Sequence, residues 1–152
     1  MSLRMRLFLI TTLFFLSSVV LKAQQAESNG AGKKGVASFY HPKFEGRKTA
    51  TGEVFKNTDF TAACNKLTLG TFVKVTNLAN GIAVYVRIND RMAAANKRLI
   101  DLASIAAEKL GFIDDGTTKV KVETVPTEEG RNGILAQRKI QKEILKLETG
   151  KL

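Results

Sequence analysis

The chain has one cysteine and one histidine, Cys64 and His41, and this pair is the first candidate for chemistry. A cysteine nucleophile needs a base beside it, and a Cys–His dyad would make the protein a peptidase or amidase. The alternative is that Cys64 is a small, partly buried apolar residue, and the surrounding strand-and-loop pattern favours this alternative. A zinc site of His and Cys ligands needs more such residues than the chain has, so we expect neither a metal site nor a cofactor.

Two carboxylates stand at positions that also permit chemistry. Asp90 follows Asn89 at the end of a predicted strand, where aspartate commonly accepts hydrogen bonds from the backbone of a turn. Glu53 lies in the polar loop "GRKTATGEVF", where a solvated carboxylate is the usual outcome. From the residues alone we therefore expect a turn residue at Asp90 and a solvated carboxylate at Glu53.

The first residues predict export. Arg4 and Arg6 precede the apolar stretch 7–20, and Ala23 stands at a suitable cleavage point, which is the pattern of a secretory signal peptide over 1–23. The apolar stretch is shorter than the roughly 20 residues that span a bilayer, so no stable membrane anchor is expected. No cysteine lies at the cleavage point, which argues against a lipoprotein. We expect the protein in the periplasm or cell envelope, or outside the cell.

The composition narrows the partners. The formal net charge is +10, which suits an acidic wall polymer, anionic lipid or nucleic acid. Export makes nucleic acid the weakest of the three, and we expect no nucleic-acid partner. A single cysteine cannot form an internal disulfide, so the fold depends on burial of apolar side chains. We expect a monomer.

Alternating apolar residues predict a β-rich domain of about 90 residues. The segment 35–40 predicts a strand, and 117–125 predicts a last strand with Val120 and Val122 on one face. The segment 71–90 predicts a β-hairpin with a type I′ turn at Asn80-Gly81. The polar stretch 41–60, between the first strand and the hairpin, predicts a long loop of the kind that often contains functional residues.

The segment "DLASIAAEKLG" predicts a helix that begins at Asp101 as its N-cap and ends at Gly111. Past Pro126 the chain is basic, and it is either an amphipathic helix or a partly ordered extension; we favour the extension. The predicted organisation is a signal peptide (1–23), a flexible lead-in (24–34), the folded domain (35–126) and a basic tail (127–152).

Five stretches in this order resemble the rare lipoprotein A family of bacteria. They are "GVASFYHPKFEGRKTATGEVF", "TAACNKLTLGTFVKVTNLANG", "VYVRINDR", "RLIDLASIAAEKLG" and "KVKVETV", and they cover the whole predicted domain. The resemblance implies a mainly β fold, a six-stranded double-psi β-barrel with one or two short helices. It also implies lytic cleavage of peptidoglycan glycan strands, with a preference for strands that lack stem peptides.

Two functional residues of the family have matches in this sequence, and a third does not. Glu53 matches the family's Glu in its "TA-x-GE" step, and Asp90 matches the Asp of its "NDRGP" step. Cys64 stands where the family has His, and Met92-Ala93 replaces the Gly-Pro. Thr49 and Arg91 are implied to line the same site.

The implied reaction breaks the bond between N-acetylmuramic acid and N-acetylglucosamine without water. Asp90 would protonate the leaving oxygen and then accept the proton of the sugar's own 6-hydroxyl. Glu53 would either act as a like-charged neighbour that favours protonated Asp90 or orient the substrate. Arg91 would oppose the first effect if its side chain turned inward.

Aromatic and basic residues in the long loop and directly before it provide candidates for substrate contacts. Tyr40, Phe44 and Phe55 either form a rim on which sugar rings stack or anchor the loop in the core. Arg47 and Lys48 either bind the lactyl carboxylate of a muramyl residue or keep the loop soluble. Two functions therefore remain: a lytic transglycosylase, favoured by Glu53 and Asp90, and a non-catalytic barrel that binds wall glycan or a partner protein, favoured by the loss of the His and the Gly-Pro.

Overall fold

The described part of the chain folds as a closed six-stranded barrel. A computed structural model describes residues 32–150, and the predicted signal peptide lies outside them. The strands are β1 (Lys33–Phe39), β2 (Thr61–Ala63), β3 (Phe72–Asn77), β4 (Ala83–Asp90), β5 (Ile100–Leu102) and β6 (Thr118–Thr124). Their order around the barrel is β1-β5-β2-β4-β3-β6, closed by pairing of β6 with β1. The β1–β5 and β2–β4 pairs are parallel and the other pairs are antiparallel.

Alternate residues of the strands fill the barrel with small and branched side chains. The buried strand residues include Ala37, Val73, Val75, Val84, Val86, Ile88, Ile100, Leu102, Val120 and Val122. Each buried Val or Leu contributes roughly 1.5–3 kcal/mol relative to exposure. Because the only cysteine is free, this apolar interior supplies the stability that disulfides supply in many exported domains.

The short helix begins later than predicted, and Asp101 is not its N-cap. Helix α1 spans Ser104–Lys109 and is preceded by Ala103, which makes no side-chain capping bond. Asp101 lies instead in β5, which pairs with both β1 and β2. Pairing on both sides outweighs the capping preference, and a three-residue strand is too short to show alternation in the sequence. The predicted end is confirmed, since Gly111 has a φ of 72° directly after the helix.

The predicted hairpin is confirmed as β3 and β4, but its turn is not of type I′. That turn needs positive φ at both central residues, and here Gly81 has a φ of 76° while no described residue other than glycine has a positive φ. Asn80 acts through its side chain instead. Its Nδ2 donates to the backbone oxygen of Leu110 (2.9 Å), and its Oδ1 accepts from the amide of Ile82 (2.9 Å).

Residues 127–148 form a helix where the sequence favoured a partly ordered extension. This helix, α2 (Thr127–Glu148), packs on β3 and β4. Ile134 is buried, and the amide of Gln137 pairs with both the N–H (2.6 Å) and the oxygen (2.9 Å) of Tyr85. Of the apolar residues that suggested an amphipathic helix, Ile134 packs on the barrel, whereas Ile140 and Leu147 are 54% and 69% exposed.

Two further observations concern the start of the barrel and the character of the helices. Strand β1 begins at Lys33, so it takes in the last residues of the predicted lead-in. Among residues 32–150, no helix has the length and apolar character to cross a bilayer.

Candidate active site

The long loop 41–60 contains a small hairpin whose tip lies on the end of β4. Its rungs join Phe55 N to Arg47 O (2.8 Å) and Thr49 N to Glu53 O (2.8 Å). Gly52 closes the tip with a φ of 84°, a conformation that glycine adopts without strain. The tip is held to β4 by the bond from Thr51 N to Asn89 O (3.2 Å). This loop, which the sequence presented as irregular, therefore has a defined position beside the strand end.

A bulge at the end of β4 gives Asn89 and Asp90 different partners. Ala62 pairs with Ile88 but Ala63 pairs with Asp90, so β4 has one residue more than β2 at this point. Such a bulge re-aims the side chains that follow it. Asn89 turns to Glu53, whereas Asp90 turns to Tyr40 on β1's side of the barrel.

Three donors hold the carboxylate of Asp90. The Tyr40 hydroxyl donates to Oδ2 (2.7 Å), and the amides of Ala50 and Arg91 donate to Oδ1 (2.8 Å each). Two of these donors are backbone groups, so the carboxylate direction is set by the loop tip and the strand end. A proton-transferring group needs this kind of fixed geometry.

Tyr40 is itself anchored by aromatic packing. Its ring lies 4.2 Å from that of Phe55 and 5.8 Å from that of Phe44 (centroid distances). Burial raises the pKa of Tyr40, and its hydrogen bond to Asp90 raises that pKa further, so the phenol keeps its proton and remains a donor. Phe55 is only 3% exposed and anchors the loop, while Phe44 is half-buried beneath Lys43 and Arg47.

Glu53 is held by a separate set of partners. Its Oε2 accepts from Asn89 Nδ2 (2.9 Å), and both of its oxygens accept from Arg87 (2.7 and 2.8 Å). The Asn89 bond, followed by the Arg87 bonds and charge, lowers the pKa of Glu53. The group is therefore an ionised acceptor, with its charge balanced by Arg87.

The two carboxylates line different cavities. A cavity of about 550 Å³, the Asp90 cavity, is lined by Tyr40, His41, Phe44, Arg47, Lys48, Phe55, Asp90, Arg91, Arg98 and Asp101 among others. A second of about 650 Å³, the Glu53 cavity, includes Glu53, Phe72, Arg87, Asn89, Arg131, Ile134, Leu135 and Arg138. Both volumes are in the range of small-molecule sites. The consecutive residues Asn89 and Asp90 each line one of them, so the cavities adjoin at the end of β4.

Cys64 lies behind the site rather than in it. Its side chain is fully buried, and its Sγ accepts from the amide of Lys66 (3.4 Å). His41 is exposed, and its Nδ1 accepts from the amide of Lys43 (3.2 Å). In the described part of the chain no hydrogen bond joins His41 to Cys64, so the structure does not bring the dyad together. The backbone of Cys64 supports the site, because its N–H donates to Asp90 O (3.2 Å) and its oxygen accepts from the Arg91 guanidinium.

Thr49 is likewise a supporting residue. It is buried beneath the loop tip, where its hydroxyl bonds that of Thr51 (3.0 Å). The structure thus brings together in one cavity Tyr40, Phe44, Arg47, Lys48, Asp90 and Arg91, and it leaves Glu53, Cys64 and Thr49 outside that cavity.

The sequence did not predict a place in either cavity for two groups of residues. Asp101 lines the Asp90 cavity, where Arg98 donates two hydrogen bonds to it (2.7 and 2.8 Å). The "IDLA" string that carries the resemblance contains Asp101, and this was the available signal. Arg131 and Arg138 of α2 line the Glu53 cavity, and no local pattern placed them there.

The closed, mixed six-stranded barrel with two parallel pairs defines a double-psi β-barrel, as predicted. A fold likeness agrees: cerato-platanin 3 from M. perniciosa superposes with a TM-score of 0.51 at 14% identity, covering 65% of this chain and 99% of that one. The chain belongs to the double-psi barrel family described as lytic transglycolase, whose model matches residues 32–122.

Curated relatives carry the name "Endolytic peptidoglycan transglycosylase RlpA", in agreement with the resemblance. The Haemophilus influenzae protein is 46% identical over 100 residues, covering 66% of this chain and 35% of the relative. The protein of Pseudomonas aeruginosa strain UCBPP-PA14 is 48% identical over 91 residues, covering 60% and 27%. The chain thus spans about a third of the length of the curated relatives it matches.

Proposed function

We propose that the protein is an exported lytic transglycosylase that cleaves peptidoglycan glycan strands and leaves 1,6-anhydro-N-acetylmuramic acid ends. The observation that carries the proposal is Asp90, a carboxylate fixed by three donors beside an open cavity of sugar-binding size in a barrel of this family. The named activity of the relatives supports the same assignment. Strands without stem peptides are the proposed substrate.

In this reaction Asp90 gives one proton to the leaving oxygen and receives another from the substrate. Asp90 protonates the N-acetylglucosamine oxygen as the bond from that oxygen to C1 of N-acetylmuramic acid breaks. The 6-hydroxyl oxygen of the muramyl residue then bonds to C1, and the proton of that hydroxyl passes to Asp90. No water is consumed, so one carboxyl serves as both acid and base, unlike the carboxyl pair of hydrolysing glycosidases.

Glu53 has a different proposed role, because its partners keep it ionised and it lines the neighbouring cavity. An ionised carboxylate accepts hydrogen bonds from sugar hydroxyl and amide groups, and it stabilises positive charge that builds on the adjoining ring. We assign Glu53 to substrate orientation and charge stabilisation. A strand lying over the end of β4 would contact both cavities.

The direct test is incubation of residues 24–152 with sacculi whose stem peptides have been removed by an amidase. We expect mass spectrometry to detect fragments with 1,6-anhydro ends. Sacculi that are bound but never cleaved would support the alternative, a barrel that binds wall glycan without turnover. Absence of both binding and cleavage would overturn the proposal.

Tyr40→Phe is expected to reduce kcat about 10- to 100-fold, since a hydrogen bond to a charged group is worth roughly 1.5–3 kcal/mol. The substitution keeps the ring packing on Phe55 and removes only the hydroxyl that donates to Asp90. Tyr85→Phe is the matched control, because its hydroxyl also meets a carboxylate, that of Glu129 (3.1 Å), and neither residue lines the Asp90 cavity or the Glu53 cavity. Equal rates for the two variants would contradict a role for Tyr40 in positioning Asp90.

Arg87→Gln is expected to move the acid limb of the kcat/KM profile to higher pH. Arg87 contributes to the lowered pKa of Glu53, so its loss raises that pKa and protonates Glu53 earlier as the pH falls. The shift is modest, because the Glu53 side chain is 45% exposed and solvent screens the pair. Lys121→Gln, which breaks the distant Lys121–Glu123 pair, is the control. An unmoved acid limb in Arg87→Gln would show that ionised Glu53 is not required.

A further inference from the structure

Helix α2 forms one wall of the Glu53 cavity. The barrel contributes Glu53, Arg87, Asn89 and Phe72, and the helix contributes Arg131, Ile134, Leu135 and Arg138. The family match ends at residue 122, so this wall lies outside the matched residues. The cavity that contains Glu53 is therefore completed by a helix that lies outside the matched residues.

The helix is held firmly enough to fix the side chains it presents. Gly130 and Gly133 lie directly on Phe72 and Tyr85, and Gln137 pairs with the backbone of Tyr85 on both sides. Arg138 adds an ion pair to Asp59 (3.0 Å). Arg131, one residue after Gly130, therefore stands at a set position on the cavity wall.

The charges in this cavity do not balance. Its lining includes the cations Lys56, Arg87, Arg131 and Arg138 and the carboxylates Glu53 and Asp59. Arg87 and Arg138 are paired to those carboxylates at 2.7 and 3.0 Å. Within residues 32–150, neither Arg131 nor Lys56 forms an ion pair, so the cavity offers a free guanidinium beside an apolar surface of Phe72, Ile134 and Leu135.

We propose that Arg131 forms a subsite for the lactyl carboxylate of a muramyl residue, and that the apolar surface beside it receives the face of the sugar ring. A guanidinium binds a carboxylate through two parallel hydrogen bonds, which gives direction as well as affinity. The inference rests on the proposed function and adds a specificity residue to it. The sequence suggested Arg47 and Lys48 as the residues that bind this carboxylate, and both line the Asp90 cavity. The present proposal assigns that contact to Arg131 of α2 instead.

This subsite distinguishes glycans by chemistry. The lactyl group of a peptide-free muramyl residue ends in a carboxylate, whereas a stem peptide converts that group to an amide. Oligomers of N-acetylglucosamine alone lack the group altogether. Arg131 would therefore favour peptide-free muramyl strands over both alternatives.

The test compares binding of three ligands by full-length mature protein carrying Asp90→Asn, so that nothing is cleaved. The ligands are a peptide-free muramyl glycan, the same glycan with stem peptides, and an N-acetylglucosamine oligomer of equal length. Arg131→Gln is expected to weaken binding of the peptide-free glycan about 10-fold and to leave the neutral oligomer unchanged, as the loss of a charge-assisted contact requires. Arg131→Lys should recover part of the loss, because it restores charge without the planar fork.

Lys139→Gln is the matched control, since it removes the same charge from an exposed position of the same helix outside the cavity. The subsite would be overturned if Arg131→Gln and Lys139→Gln weakened binding of the peptide-free glycan equally. It would also be overturned if Arg131→Gln weakened binding of the neutral oligomer. Weakening that appears only with stem peptides present would assign Arg131 to a peptide carboxylate instead and would also overturn it. Failure of the Asp90→Asn parent to bind any of the three glycans would overturn the proposed function itself.

Discussion

Asp90→Asn is expected to abolish the formation of 1,6-anhydro ends, with a loss of about 10²–10⁴-fold in kcat. An amide cannot donate an acidic proton to the leaving oxygen or take one from the 6-hydroxyl. The substitution retains the size of the side chain. Its one remaining oxygen still accepts a hydrogen bond from Tyr40, or hydrogen bonds from the Ala50 and Arg91 amides. Binding should therefore persist while chemistry stops, and the measurement is the amount of anhydro product per hour beside the amount of protein bound to sacculi.

Asp114→Asn provides the control for the loss of one carboxylate, because Asp114 is exposed and lines neither cavity. Its rate should equal that of the native chain. Full activity in Asp90→Asn would contradict the assignment of the acid and would direct attention to Asp101, the other carboxylate of that cavity.

Cys64→His introduces the residue that the resemblance implies at this position. The Cys64 side chain is fully buried, so an imidazole must displace close-packed neighbours, and overpacking of this kind typically costs about 1–3 kcal/mol. We expect a lower melting temperature and no gain in rate. A gain in rate would show instead that the native chain is a lapsed catalyst one residue from its relatives.

Gly133→Ala, the second large effect, is expected to destabilise the protein by about 1–3 kcal/mol and to loosen α2. A Cβ at this position would lie 2.4 Å from Cδ2 and 2.5 Å from Cγ of Tyr85. The ring and the helix cannot both keep their places at that distance. In a helix without tertiary contacts the same change would stabilise by about 1 kcal/mol, so the sign of the effect reports whether the helix is packed on the barrel.

Asn132→Ala is the control, because Asn132 is an exposed neighbour in the same helix and alanine is favoured there by propensity alone. Thermal unfolding measures the stability, and amide hydrogen exchange over 127–148 measures the helix. If Gly133→Ala raises the melting temperature as Asn132→Ala does, α2 is not packed on Tyr85. Loss of packing should also weaken binding of the muramyl glycan, since Arg131 would lose its position.

The sequence by itself determined the elements whose signal is local. Alternation at Val73, Val75, Val84 and Val86 is repeated over enough residues to define β3 and β4, and Gly111 marks a helix end because few other residues adopt its φ. The ordered strings around Glu53 and Asp90 were sufficient to predict the family and the barrel, which the match over 32–122 confirms.

Only the tertiary structure decided how those residues face one another. Strands β2 and β5 have three residues each and exist because they pair with distant strands, so Asp101 became a cavity residue instead of a helix cap. The bulge at the end of β4 depends on the register between β2 and β4, and beside it Asn89 and Asp90 line adjoining cavities.

Local sequence patterns also did not predict where α2 packs on the barrel. Of its apolar residues only Ile134 is buried, while Ile140 and Leu147 are exposed. The other residues that hold it are Gly130, Gly133 and Gln137, and their contacts form only when Phe72 and Tyr85 lie opposite. Local patterns report the conformation that a segment prefers. Register, bulges and close approach are properties of two segments far apart in the chain, and their energies arise only when the barrel has closed.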